Sequence, residues 1–169
     1  MCPRSLKSLR WVGGVTEVGA SRSIFVAVVP HELYAMVSDV TRTGEWSPAC
    51  RTCWWDAGAG PEVGSWFTGR NETPDGTWEA RCQVTVAIAG RRFGWEVYEG
   101  LGYWEYRCEP DGDGTRLTES WRLLEPGVAM FRERYGNDVD AEFETRRTAA
   151  TESITATLAA IKMAAEGAG

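Results

Sequence analysis

Thr77-Trp78-Glu79-Ala80-Arg81-Cys82-Gln83-Val84-Thr85-Val86-Ala87-Ile88 is the stretch that decides the fold. Trp78, Ala80, Cys82, Val84, Val86 and Ile88 alternate with Glu79, Arg81, Gln83 and Thr85. A period of two sustained this long describes a strand with one buried and one wet face, and hence an antiparallel sheet. Just upstream, Thr73-Pro74-Asp75-Gly76 is a turn, so residues 65–72 fold back as a second strand. The register through Pro74-Asp75 sets Asn71 opposite Trp78, Gly69 opposite Ala80 and Phe67 opposite Cys82, each pair sharing a face. Downstream, residues 91–98 carry Phe93, Trp95 and Val97 on one side, and residues 103–109 carry Trp104, Tyr106 and Cys108. The Asp111-Gly112-Asp113-Gly114 turn leads into residues 115–124, with Leu117, Trp121 and Leu123 sharing a side.

Further out the period changes. Residues 16–29 are strand-like, and Pro30 then suits the first turn of a helix carrying Leu33, Met36 and Val37. A second short helix or turn covers residues 40–46 before Pro48, and residues 50–56 form another strand. In the last third, Phe131, Tyr135, Val139 and Phe143 step by four, and Ile154, Leu158, Ile161 and Ala165 resume the pattern. This predicts a short helix, an interruption at Gly136-Asn137-Asp138 and a long amphipathic helix to residue 166. Strand, two short helices, a run of antiparallel strands and one long helix make an α+β domain. Residues 1–15, with Gly13-Gly14 and scattered basic residues, read as an N-terminal arm, and residues 16–166 as one domain.

Composition removes several function classes. The single histidine, His31, leaves no zinc site built on two or three imidazoles. A net charge of −6 without a basic run disfavours nucleic acid and anionic membranes. No apolar run is long enough to span a bilayer, and no apolar core follows the basic start, so a cytoplasmic location is expected. The five cysteines (Cys2, Cys50, Cys53, Cys82, Cys108) form no disulfide framework, being odd in number and far apart. Cys50-Arg51-Thr52-Cys53 has no second pair and runs into the strand-like Trp54-Trp55, so its thiols are read as structural rather than as a redox or metal motif. Asp111 and Asp113 resemble the start of a calcium loop, but Arg122 stands where the bidentate glutamate belongs. Neither a metal nor a cofactor is expected.

Two polar residues break the apolar pattern. Glu119 shares the parity of Leu117, Trp121 and Leu123 and therefore points inward. A carboxylate on an apolar face is costly unless paired or protonated, and burial raises its pKa toward the range of a general acid or base. Pairing with Arg146 or Arg147, or a local bulge, would explain it without any functional role. Asn71, opposite Trp78, either donates to a ligand carbonyl or reaches the solvent rim. Nine tryptophans are several times the usual share, and Trp78, Trp95, Trp104 and Trp121 fall on one predicted face. They either fill the core or form flat walls suited to ring stacking.

Five phrases, in order, resemble the helix-grip superfamily, which includes START domains and the polyketide cyclase/dehydrase and lipid-transport (SRPBCC) group. They are Val29-Pro30-His31-Glu32-Leu33-Tyr34, Asp39 through Trp46-Ser47-Pro48, Val63-Gly64-Ser65-Trp66-Phe67-Thr68-Gly69-Arg70-Asn71, Gly114-Thr115-Arg116-Leu117-Thr118-Glu119, and Thr157-Leu158 to Lys162. The likeness covers residues 16–166; the arm is additional. It implies a curved antiparallel sheet of about six to seven strands wrapped around a long C-terminal helix. It also implies a cavity between them for a hydrophobic small molecule, lipid-like or aromatic. On that basis Phe67, Trp78, Trp95, Trp104, Trp121, Tyr135, Phe143 and Arg146 are ligand-contact candidates, and Glu119 and Asn71 are catalytic candidates. The expected partner is that small molecule, with a homodimer left open. The alternatives are a polyketide aromatase/cyclase-type enzyme and a protein–protein adaptor of the chaperone-activator type. Fold alone does not choose among them.

Overall fold

The computed structural model describes residues 17–167; the proposed N-terminal arm lies outside them. Strand β1 (Gly19–Val26) leads to helix α1 (Pro30–Ser38), whose Pro30 occupies the first turn, where no amide is needed. A 3-10 turn (Val40–Glu45) follows, with Asp39 accepting from the Thr41 amide at 3.1 Å. Then come β2 (Cys50–Trp55), β3 (Trp66–Thr73), β4 (Gly76–Ile88), β5 (Arg92–Val97), β6 (Gly102–Asp111) and β7 (Gly114–Leu123). Helix α2 (Glu125–Tyr135) ends at Gly136, whose φ of 51° suits a residue without a side chain. Helix α3 (Val139–Glu166) closes the fold.

The strands form one antiparallel sheet in the order β1-β7-β6-β5-β4-β3-β2. Helix α3 lies against β1 and β7, and α1 against β5 and β6. The main core sits between them, around Leu33, Phe93, Leu117, Ile154, Leu158 and Ile161, all essentially buried. The 154, 158, 161 spacing is the apolar stripe that turns α3 toward the sheet. A second cluster, Val18, Val128 and Phe143, joins α2 and the start of α3 to the beginning of β1.

The β3–β4 register is the expected one: Phe67 opposes Cys82, Gly69 opposes Ala80 and Asn71 opposes Trp78. The alternation in β4 needs correction at its end. Val84 pairs with Trp95, but Val86 pairs with Gly94 and Ala87 with Phe93, leaving Thr85 as the extra residue of a bulge. Parity therefore switches. Ala87 packs toward the core, while Ile88, read as inward from the sequence, is exposed.

On the outer face of the sheet, Tyr103 lies over Gly94, where a Cβ would stand 2.9 Å from the ring carbon Cζ. Beside it the buried Glu105 carboxylate accepts from Tyr103 Oη and Arg92 Nη2, both at 2.6 Å, and from Arg107 Nη2 at 3.1 Å. Burial alone would raise its pKa, but these donors outweigh it and hold the group below the ordinary carboxylate value.

Candidate functional site

The inner face of the sheet carries a chain of aromatic rings. Trp55 meets Phe67 at 5.4 Å between centroids, Phe67 meets Trp95 at 6.1 Å, and Trp95 meets both Phe93 and Tyr106 at 5.7 Å. The rings are tilted or edge-on rather than stacked, which suits their quadrupoles. Between this wall and α3 lies a cavity of about 280 Å³. Its other sides come from Val37 of α1, Thr43 of the 3-10 turn, Cys50 and Cys53 of β2, and Ser153 and Thr157 of α3.

Glu119 lines this cavity and is 4% exposed. Its cross-strand partner is Tyr106. Oε2 of Glu119 is buried and finds no hydrogen-bond partner among the described residues; the same holds for Nε1 of the buried Trp46. Burial pushes the Glu119 carboxyl up to about 8, with the Tyr106 hydroxyl acting in the opposite direction. The Tyr106 phenol is itself held well above its ordinary value, first by burial and then by the Glu119 charge. Neither Arg146 nor Arg147 reaches Glu119: Arg146 bonds to Glu142 at 2.8 Å, and Arg147 bonds to Glu144. Two buried carboxyls thus have opposite characters. Glu105 is ionised and well partnered. Burial favours the neutral form of Glu119, and its Oε2 has no hydrogen-bond partner among the described residues.

Of the other candidates, Phe67, Asn71, Trp78, Trp95 and Trp104 all line the cavity. Asn71 donates from Nδ2 to the Gly69 carbonyl at 3.2 Å, so only part of its amide is free for a ligand. Trp78 is 43% exposed and stands with Tyr98 at the solvent edge. Trp121 does not line the cavity; it packs behind Trp104, at 6.2 Å between centroids. Tyr135, Phe143 and Arg146 are not brought to the cavity either. They belong to α2 and the first turns of α3, where Phe131 packs on Tyr135 and Phe143, and Arg146 lies over the Phe131 ring. The four-residue period along these helices is real, but it serves the second cluster at the far end of the sheet.

Sequence reasoning passed over Tyr106, Thr157 and the two β2 cysteines as site groups. Tyr106 was findable from the register that sets it opposite Glu119. Thr157 was findable as the polar member of the stripe running through Ile154 and Ile161. The cysteines carry a signal in their C-x-x-C spacing, but the strand-like residues after it favour a structural reading. Among the described residues, no group of three His, Cys, Asp or Glu side chains comes together to hold a metal ion, and no helix is long and apolar enough to cross a membrane.

Residues 17–166 match the family described as polyketide cyclase / dehydrase and lipid transport. No curated protein matches the sequence. Among solved structures, the Polyketide_cyc-like protein Cgl2372 from Corynebacterium glutamicum is 46% identical, with a TM-score of 0.68 over 90% of this chain and 94% of that one. The di-domain ARO/CYC StfQ from the steffimycin biosynthetic pathway is 17% identical, with a TM-score of 0.71 over 90% of this chain and 51% of that one. The di-domain ARO/CYC BexL from the BE-7585A biosynthetic pathway is also 17% identical, with a TM-score of 0.67 over 88% of this chain and 50% of that one. At that identity the likeness to the two di-domain proteins is one of fold, and this chain spans about half the length of each. The match along nearly all described residues, together with the identity to Cgl2372, shows that the chain belongs to the polyketide cyclase / dehydrase and lipid transport family.

Proposed function

We propose that the protein binds a hydrophobic small molecule in the cavity between the sheet and α3, with Glu119 hydrogen-bonding to a ligand oxygen. The observation that carries this reading is the buried Glu119, one of whose carboxyl oxygens, Oε2, lacks a hydrogen-bond partner, in the lining of an aromatic-walled cavity. An orphaned buried polar group costs roughly 1–3 kcal/mol, which a ligand carbonyl or hydroxyl recovers by bonding to it. The volume of about 280 Å³ is near the lower end of the roughly 300–1,000 Å³ usual for small-molecule sites. It suits a compact, few-ringed or polyketide-like ligand better than a lipid with two long acyl chains. Trp95 and Trp104 offer it flat faces.

An aromatase/cyclase-type activity is the second reading. It is favoured by the pKa of about 8 at Glu119, which makes this carboxyl a proton donor or acceptor near neutral pH. The two ARO/CYC proteins of similar fold support it by analogy. In that case the cavity holds a flexible chain in a reactive shape, and Glu119 relays a proton while the Asn71 amide orients a carbonyl at the rim. A chaperone-activator type of adaptor has less support, because much of the aromatic surface lines an internal cavity rather than an exposed patch.

Native mass spectrometry of the purified protein, with tryptophan quenching by naphthalene- and anthraquinone-type compounds, tests the binding reading. The expected result is a co-purified apolar mass or saturable quenching. A clean apo mass, with no quenching by aromatic compounds or lipids, would overturn it.

A further inference from the structure

We propose that Cys50 and Cys53 form a redox-active dithiol in the cavity wall, which a small peroxide converts into an intramolecular disulfide. The inference goes beyond ligand binding and does not depend on it. In a regular strand, residues three apart point to opposite faces. Here Cys50 pairs with Asn71, Thr52 with Arg70 and Cys53 with Gly69, so the ladder slips by one residue between Cys50 and Thr52. That bulge turns both thiols toward the cavity, and their sulfurs stand 3.1 Å apart. A disulfide bond is about 2.05 Å long, so closure needs an approach of only about 1 Å.

The facing strand leaves room for the pair. Gly69 is the cross-strand partner of Cys53, and a Cβ there would stand 3.2 Å from the Cys53 sulfur and 3.6 Å from that of Cys50. The two thiols are also chemically unequal. The hydrogen bond with Cys53 lowers the Cys50 pKa, and the same bond raises that of Cys53. The hydrogen bond shared by the two sulfurs eases loss of the first proton from the pair, and we assign the attacking thiolate to Cys50. By contrast, burial pushes Cys82 and Cys108 up to about 12. Among the described residues, no third His, Cys, Asp or Glu joins the pair in a metal-holding group.

The step balances with hydrogen peroxide as oxidant. The Cys50 thiolate attacks one peroxide oxygen and the O–O bond breaks, leaving a sulfenic acid on Cys50 and releasing hydroxide, which takes up a proton as water. Cys53 then loses its proton and attacks the Cys50 sulfur. The S–O bond breaks and a second water leaves. Two thiols are oxidised, and one peroxide is reduced to two waters.

The test treats the full-length protein with hydrogen peroxide, alkylates the remaining thiols under denaturing conditions, and reads intact and peptide masses. The expected product has lost two hydrogens, links Cys50 to Cys53, and reverts with dithiothreitol. Cys53→Ser should stop at a sulfenic acid on Cys50 trapped by dimedone, and Cys50→Ser should oxidise at least about tenfold more slowly at residue 53. Cys82→Ser and Cys108→Ser should still form the bridge. Over-oxidation of Cys50 without a bridge, a bridge to another cysteine, or Cys50 and Cys53 still fully alkylatable after treatment would each overturn the proposal.

Discussion

Tyr106 and Glu119 stand directly opposite each other on β6 and β7, both buried and both on the cavity side of the sheet. The hydroxyl favours the ionised carboxyl while burial favours the neutral one, and burial wins. Removing the hydroxyl therefore tips the balance further. Tyr106→Phe should move the Glu119 titration upward, read as an upward shift in the pH midpoint of ligand binding or of carboxyl absorbance in difference infrared spectra. A downward or unchanged midpoint would show that the two groups are not coupled.

Stability should depend on pH through the same carboxyl. Its ordinary value is 4.5 and its folded value about 8. Below the lower value the group is protonated in both states. Between the two, the folded chain keeps a proton that the unfolded chain has released. Rising pH across that window therefore favours unfolding, by about 1.4 kcal/mol for each pH unit and by up to a few kcal/mol in total, and the effect levels off above the folded value. Glu119→Gln should flatten this slope, measured by urea unfolding at several pH values. An equally steep slope in the variant would assign the dependence elsewhere.

Under the enzymatic reading, Glu119→Gln should also abolish turnover of a polyketide-type substrate while changing its affinity by less than about tenfold, because the amide keeps the shape and one donor. Retained turnover would leave binding as the sole role.

Two aromatic positions should separate folding from binding. Phe93 is fully buried, and Phe93→Ala should cost about 3–5 kcal/mol in denaturant unfolding. Trp78 is 43% exposed at the cavity edge, so Trp78→Ala should cost much less stability yet weaken the binding of aromatic ligands. Equal losses of stability at both sites would contradict this division.

Arg146 gives a counter-test. Its side chain is 49% exposed and pairs with Glu142 one turn away. Arg146→Ala should lower stability by less than about 1 kcal/mol and leave ligand quenching unchanged. Loss of quenching would bring this residue back into the site.

The sequence made the architecture legible because antiparallel strands carry parity. The 73–76 turn fixed the β3–β4 pairing residue by residue, and the parity of β7 placed Glu119 inward. Parity fails wherever a strand gains a residue, and nothing in the local composition announces that. Thr85 is an ordinary strand residue, and so is Arg51; each nevertheless sits in a slipped ladder. Helical periodicity has a different weakness. It showed that Phe131, Val139 and Phe143 share an inward stripe without showing what it packs on, because a four-residue step fits the cavity and the second cluster equally well.

The bulge at Thr85 also bears on how the sheet tolerates a change in chain length. Beyond it, small Ala87 pairs with Phe93 on the inner face and Ile88 turns outward opposite Arg92. Deleting Thr85 would leave these flanking pairs as they are, with Ala87 still inward and Ile88 still outward, and would remove only the extra residue and its local twist. What faces the core at this end is therefore set by the pairing with β5 and not by the number of residues in β4, so the wall can absorb the gain or loss of one residue.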